Sequence, residues 1–299
     1  MNTENKTKKH FLLDHPIIAA IVMIVIQQLL FIAVYGAAVP FIANPLALAA
    51  VGFISNAGIA FVMALLIKNS LKNGYILGFR GQNFVECLKL GWIFPVLLIV
   101  QALMGAFDFS AISQITVSGV ITALFMAASA GFGEELMFRS IMANNMMRVW
   151  IEKKSGIYAA IFVSSAIFGL VHLTNAYASG MNLNVILQVG YAFALGALFC
   201  AMYLRTRNLW GCILMHTVFD FVPFLFSSGS STVQKAAEIL SGSIDLSDII
   251  LKSIVMVVGI ALSLYLVRSA KHEEIKANFA SAEPETEEAV SKKMAAQAA

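Results

Sequence analysis

The chain has 299 residues, of which 59% are hydrophobic and only 12% are charged, with a formal net charge of +3. Soluble globular domains carry about 25% charged residues and about 45–50% apolar ones. This composition excludes an ordinary soluble enzyme, a disordered chain and a nucleic-acid-binding protein with a basic face. The mean hydropathy of +0.81 instead indicates a polytopic helical membrane protein.

Apolar runs bounded by polar or turn residues predict about eight membrane-spanning segments. All should be helical, because hydrocarbon cannot satisfy the polar groups of an open backbone, and each run is near the length that crosses a bilayer. The predicted fold is therefore all-α, with a polar cavity in the helix bundle. The predicted spans cover residues 16–43, 46–67, 90–107, 115–138, 157–174, 183–204, 209–227 and 248–267.

Lysine and arginine alternate between the predicted loops. The two tails and the second, fourth and sixth loops carry most of them, whereas the first, third and fifth loops carry none. Since cytoplasmic loops are enriched in these residues, both termini are predicted to be cytoplasmic in a multi-pass protein of the cell membrane. Residues 1–15 then form an amino-terminal tail, residues 16–267 the membrane domain and residues 268–299 a charged cytoplasmic tail.

Six ionisable side chains lie inside three predicted spans or, in one case, at the end of a span. Each charge at bilayer depth costs about 2.5–3.5 kcal/mol on insertion scales, so each requires a reason. Residues 135 and 139 are four apart, share a helix face and can form an ion pair, which leaves position 134 to face something else. Positions 216 and 220 have the same spacing. The six residues are Glu134, Glu135, Arg139, His172, His216 and Asp220.

The hairpin geometry places four of these groups at a similar depth. Glu134 and His172 are equally far from the turn between the fourth and fifth spans. His216 lies about 13 Å beyond the next cytoplasmic turn, at 1.5 Å per residue. The depths match if the first hairpin extends past the membrane by about ten residues at the same rise. Glu134, His172, His216 and Asp220 are therefore predicted to cluster in a cavity nearer the cytoplasmic side.

The six residues belong to three short motifs that follow one another along the chain. The motifs resemble the EExxxR, FxxxH and HxxxN/D pattern of the CAAX protease and bacteriocin-processing (CPBP or Abi) family, and the resemblance covers roughly residues 115–227. In this chain they read Glu134-Glu135-Leu-Met-Phe-Arg139, Phe168-Gly-Leu-Val-His172 and His216-Thr-Val-Phe-Asp220.

The resemblance implies an intramembrane endopeptidase that acts on a membrane-associated protein or peptide. Eukaryotic members trim prenylated CAAX proteins, and many bacterial members are associated with peptide processing or bacteriocin immunity. Carried over to this chain, Glu134 and His172 would activate water, and His216 and Asp220 would stabilise the oxyanion. The pair Glu135 and Arg139 would give structural support.

Asp220 departs from the family pattern, because the prenyl-protein proteases have asparagine at this position. An ionised aspartate would repel an oxyanion, so Asp220 has to be protonated, orient His216 or bind a metal. Two catalytic schemes follow. In one no metal takes part. In the other, the protein is a metalloprotease that binds Zn²⁺ through His172, His216 and Asp220, and Glu134 acts as the base.

Two further classes of function fit the same polar residues. Carboxylates and histidines inside a membrane also serve as proton relays, which would suit a proton-coupled transporter, although the sequence shows no paired half-repeats with broken helices. A bacteriocin-immunity protein that keeps the pocket but does not cleave is the other alternative. No HExxH, GxGD or GxSxG motif indicates another type of intramembrane protease.

Overall fold

The computed structural model describes residues 11–71, 77–228 and 246–280, so the ends of both predicted tails lie outside the described residues. Within those ranges the chain is helical and contains no strand. Eight of its helices are long and apolar enough to cross a membrane. The predicted all-α fold with eight spans is therefore confirmed.

We number the spanning helices α1 to α8 in chain order and add α9, a short helix that follows the last span. The spanning helices are α1 (Pro16–Phe41, with a final 3₁₀ turn), α2 (Pro45–Leu71), α3 (Phe84–Leu103), α4 (Val117–Trp150), α5 (Gly156–Asn175), α6 (Leu183–Thr206), α7 (Leu209–Ser228) and α8 (Leu246–Leu266). The short helix is α9 (His272–Ala280).

Two boundaries differ clearly from the predicted ones. Helix α3 begins at Phe84 rather than at residue 90. The prediction missed its first segment, Phe84–Leu90, because charged side chains there lower the hydropathy. The segment nevertheless buries Cys87 completely. Helix α4 ends at Trp150 rather than at residue 138. Its additional turns lengthen the first hairpin by twelve residues.

The carboxyl-terminal half of α4 lies at the centre of the bundle. Every residue from 135 to 147 is buried, as expected for a helix that contacts protein on all sides. Glu135–Ala143 forms a π-helix, a rare geometry that occurs mostly as short insertions in α-helices and frequently at functional sites. The sequence predicted an ordinary α-helix here.

Glycines allow the helices that carry the polar residues to approach closely. A Cβ atom at Gly131 of α4 would lie 2.2 Å from Thr217 Oγ1 and 3.0 Å from the Ile213 carbonyl oxygen, both on α7. A Cβ atom at Gly196 of α6 would lie 2.7 Å from the ring of Phe168 on α5. Small residues at such crossings bring backbones together in membranes, so these contacts set the spacing around the site.

Helix α9 lies within the segment that was predicted as a charged tail. Its Ile275 is fully buried, and its Glu274 forms a 3.1 Å ion pair with Arg205 at the end of α6. Asn278 donates a hydrogen bond to the Arg205 carbonyl oxygen at 2.8 Å. This part of the tail is therefore docked on the membrane domain.

Candidate active site

A cavity of about 370 Å³ lies among α1, α4, α5, α6 and α7. Glu134, His172, His216 and Asp220 all line it. Three separate helices contribute these four side chains, since residue 134 is on α4, residue 172 on α5, and residues 216 and 220 on α7. The structure thus brings together the four residues that the sequence placed at a similar depth.

His216 is the centre of the polar contacts. Its Nδ1 lies 2.7 Å from Glu135 Oε1, whereas its Nε2 lies 3.4 Å from Asp220 Oδ2 and 3.6 Å from Glu134 Oε2. Its ring stacks on Phe199 with 5.0 Å between the centroids. The imidazole is therefore held in position by a ring on one face and by carboxylates at both nitrogens.

Glu135 joins this histidine to a buried cation. Arg139 Nε lies 3.1 Å from Glu135 Oε2, and both side chains are almost completely buried. The Arg139 guanidinium also lies 5.0 Å from the centre of the Phe168 ring and donates to the Gly196 carbonyl oxygen at 3.3 Å. The predicted ion pair is present, and it is continuous with the site through Glu135.

The contact between Glu135 and His216 was not predicted. The spacing of residues along α4 defines which side chains share a face, but it does not define how that face is turned towards α7. One sequence feature is consistent with the contact. A carboxylate has two oxygens that accept hydrogen bonds, so pairing with Arg139 leaves Glu135 able to accept another.

His172 is oriented by its own helix. Its Nδ1 lies 2.9 Å from the Phe168 carbonyl oxygen, and because a carbonyl can only accept, Nδ1 carries the proton. In the neutral ring Nε2 is then the acceptor. The ring also packs edge-on against Phe168, with centroids 4.9 Å apart. His172 therefore brings a hydrogen-bond acceptor to the cavity that it lines.

The polar residues do not form the zinc site that the sequence left open. The described residues contain no group of three His, Cys, Asp or Glu side chains arranged to hold a metal ion. At His216, Nδ1 is occupied by Glu135, and Nε2 faces two carboxylates. A tetrahedral catalytic zinc needs three protein ligands that converge on one point, and among the described residues His172, His216 and Asp220 are not arranged as such a group.

Asp220 lies beside the imidazole that it follows by four residues. The sequence left three roles open for Asp220: to be protonated, to orient His216 or to bind a metal. Its distance of 3.4 Å from His216 Nε2 agrees with the second role, the orientation of the histidine. The side chain keeps access to the cavity, because its exposed fraction is 30%.

Residues 116–222 match the protein family described as Type II CAAX prenyl endopeptidase Rce1-like. The matched segment runs from the start of α4 into α7, and it contains all three motifs with their six polar residues. It agrees closely with the predicted motif core and confirms the resemblance to the CPBP family. No curated protein and no solved structure matches the chain.

Proposed function

We propose that this chain, whose residues 116–222 form a domain of the CPBP family, is an intramembrane endopeptidase that hydrolyses a peptide bond of a membrane-associated protein or peptide. One observation carries the proposal. Glu134 and His172 line the same cavity as a histidine that is held at both nitrogens by carboxylates. Peptide hydrolysis requires such a combination of a base and a positioned donor.

The residues divide between the two halves of the reaction. The Glu134 carboxylate and Nε2 of His172 hold a water molecule, and Glu134 takes its proton as the water oxygen attacks the peptide carbonyl carbon. The N–H group at Nε2 of His216 keeps its proton and donates a hydrogen bond to the oxyanion that forms. Glu134 then returns the proton to the departing nitrogen, and the carbon–nitrogen bond breaks.

The carboxylates around His216 serve this donor. Glu135 accepts from Nδ1 and fixes the plane of the ring, in the same way that a third group orients the histidine of a catalytic triad. Asp220 lies on the Nε2 side of the ring, where it helps to orient the N–H group that His216 presents. Arg139 offsets the charge of Glu135, so the proposed mechanism uses all six polar residues of the three motifs.

The first test is the variant Glu134→Gln, which keeps the shape of the side chain and removes the base. General-base catalysis contributes about 10²–10⁴-fold, so cleavage of membrane peptides by the purified protein should fall by at least about 100-fold. The variant should also retain bound peptide, which mass spectrometry would identify. Glu152→Gln is the matched control, because Glu152 is 84% exposed and does not line the cavity.

Two results would contradict the proposal. Cleavage by Glu134→Gln at the rate of the Glu152→Gln control would remove Glu134 from the chemistry. Ion-dependent uptake into vesicles that persists in Glu134→Gln, with no cleavage by the unmodified protein, would favour a transporter.

We further propose that both termini face the cytoplasm, as the distribution of lysine and arginine indicates. A cysteine introduced at Asp108, between α3 and α4, should react with an impermeant maleimide in intact cells. A cysteine at Lys153, between α4 and α5, should react only after permeabilisation. Both positions are exposed, whereas the three native cysteines are buried. The opposite labelling pattern would reverse the topology.

A further inference from the structure

The cavity has a second polar region, formed by side-chain amides. Gln28 of α1, Asn175 of α5 and Gln188 of α6 all line it. They are separate from the catalytic motifs and have no role in the proposed proton transfers. Polar side chains at membrane depth are costly and usually functional, so their presence in the same cavity requires an explanation.

The orientation of Gln28 is set by a chain of hydrogen bonds. Gln28 Nε2 donates to Gln27 Oε1 at 3.0 Å, and Gln27 Nε2 donates to Asn56 Oδ1 at 2.6 Å. Asn56 Nδ2 in turn donates to the Ser129 carbonyl oxygen at 2.9 Å. Gln28 Nε2 is thus engaged by Gln27, and among the described residues no donor is bonded to Gln28 Oε1, so this carbonyl oxygen is left as an acceptor for a ligand.

Gln188 offers a donor where Gln28 offers an acceptor. Its Oε1 accepts a 2.9 Å hydrogen bond from Asn175 Nδ2, and among the described residues no acceptor lies opposite its own Nε2. A carboxamide has both donor and acceptor atoms, so Gln188 keeps an N–H donor for a ligand. The cavity therefore offers one fixed acceptor on α1 and one fixed donor on α6.

The remaining lining restricts the ligand. Phe168, Phe199, Phe224 and Leu195 form apolar walls, and no lysine or arginine is among the described residues of the lining. The charged side chains of the lining are Glu134 and Asp220, besides the two histidines, so an acidic ligand is disfavoured. A neutral, apolar ligand that carries both an N–H and a C=O group matches these walls and amides.

We infer that Gln28 and Gln188 bind the main chain of an extended, apolar peptide segment, Gln28 accepting from a backbone N–H and Gln188 donating to a backbone C=O. This inference rests on the proposed endopeptidase function. A helical substrate pairs its own backbone groups, whereas an unwound segment in an apolar environment leaves them unsatisfied at a cost. The two glutamines offset that cost and select substrates by backbone conformation rather than by one side chain.

The test uses the Glu134→Gln variant in detergent micelles and short fluorescein-labelled peptides of alanine, leucine and phenylalanine. Each backbone amide of the peptide is replaced in turn by an ester, which removes one N–H donor. At the position that faces Gln28, the ester should weaken binding roughly tenfold, which corresponds to one hydrogen bond of about 1.4 kcal/mol. In Glu134→Gln/Gln28→Leu the same ester should have no additional effect.

Gln188→Leu should likewise weaken binding of the unmodified peptide roughly tenfold. Gln114→Leu is the matched control, because Gln114 is exposed between α3 and α4 and does not line the cavity. Gln28→Met and Gln188→Met, which keep the side-chain length, replace any leucine variant that fails to fold. The ester scan on the unaltered glutamines gives an answer in either case.

Two outcomes separate this inference from the proposed function. Cleavage by the unmodified protein together with equal affinity for every ester would overturn the role of the glutamines alone. Ester-sensitive binding without any cleavage by the unmodified protein would leave the backbone-binding amides in place and overturn the endopeptidase.

Discussion

Arg139 and Glu135 are almost completely buried, so each charge depends on the other for compensation. Removing one member of a buried ion pair typically costs about 3–5 kcal/mol, whereas replacing both by apolar residues of similar volume is often neutral. Glu135 also accepts from His216 Nδ1 at 2.7 Å. The stability of α4 and the orientation of the histidine therefore depend on the same carboxylate, but they can be separated experimentally.

The comparison of Glu135→Leu with Glu135→Leu/Arg139→Met makes this separation. The single variant leaves Arg139 buried without its partner and should lose about 3–5 kcal/mol of unfolding free energy. The double variant should recover most of that loss, measured by thermal unfolding in detergent. Peptide cleavage should stay low in both, because His216 has lost its Nδ1 partner. Recovery of cleavage in the double variant would show that Glu135 has only the structural role implied by the family resemblance.

At the scale of helices, the site depends on how closely α4 and α7 approach. Glu134 and Glu135 follow Gly131 by about one turn, and His216 and Thr217 lie opposite on α7. The distance from a Cβ at Gly131 to Thr217 Oγ1 would be only 2.2 Å, so any larger residue at this position separates the two helices. The distances within the proposed active site are therefore set partly by a residue that has no side chain.

Gly131→Ala should accordingly lower both stability and cleavage. Overpacking of this size costs about 1–3 kcal/mol, and the displacement lengthens the contacts between His216 and the carboxylates of α4. Gly58→Ala on α2 is the matched control, because a Cβ there meets nothing within 4 Å, and alanine favours a helix by about 0.5–1 kcal/mol over glycine. If both variants unfold and cleave alike, the close crossing does not position the site.

The helices were largely predictable, but their relative rotations were not. Hydropathy and length are local properties of the sequence, and they located all eight spans. The π-helix at Glu135–Ala143 has no comparable local pattern, because it depends on tertiary packing around α4. For the same reason the sequence predicted the pair of Glu135 with Arg139 and the cluster at the cavity, but missed the hydrogen bond that His216 Nδ1 donates to Glu135.

For the molecule as a whole, α9 connects the end of the last span to the rest of the bundle. Its Ile275 is buried, and its Phe279 ring lies 3.7 Å from the Arg207 guanidinium. The segment is short and rich in charged residues, so hydropathy gave no indication that it docks. Its partners are distant in sequence, and only the assembled bundle presents them together.

This docking should depend on pH through Glu274. The hydrogen bond from Lys271 and the nearby Arg205 guanidinium hold the pKa of Glu274 below its usual value. A lowered pKa in the folded state stabilises the protein above the ordinary glutamate pKa of about 4.3, and that stabilisation is lost as the pH falls. The thermal midpoint of the unmodified protein should exceed that of Glu274→Gln at pH 7, and the difference should shrink towards pH 4.

The Glu274 comparison has a built-in control in Glu273→Gln. Glu273 is 89% exposed on the same helix and lies 3.7 Å from Lys276, so its removal should change the midpoint little at any pH. An equal, pH-independent difference for both variants would show that the contact with Arg205 does not hold α9 in place.

The ion pair within α4 also has a consequence for biogenesis. His216 follows Glu135 by 81 residues, and ribosomes add about 5–20 residues per second. About 4–16 s therefore pass between the synthesis of Glu135 and that of its histidine partner. During that interval Arg139, which lies one turn away on α4, can compensate the negative charge of Glu135. Because its partner lies on the same helix, the charge of Glu135 can be compensated before His216 has been made.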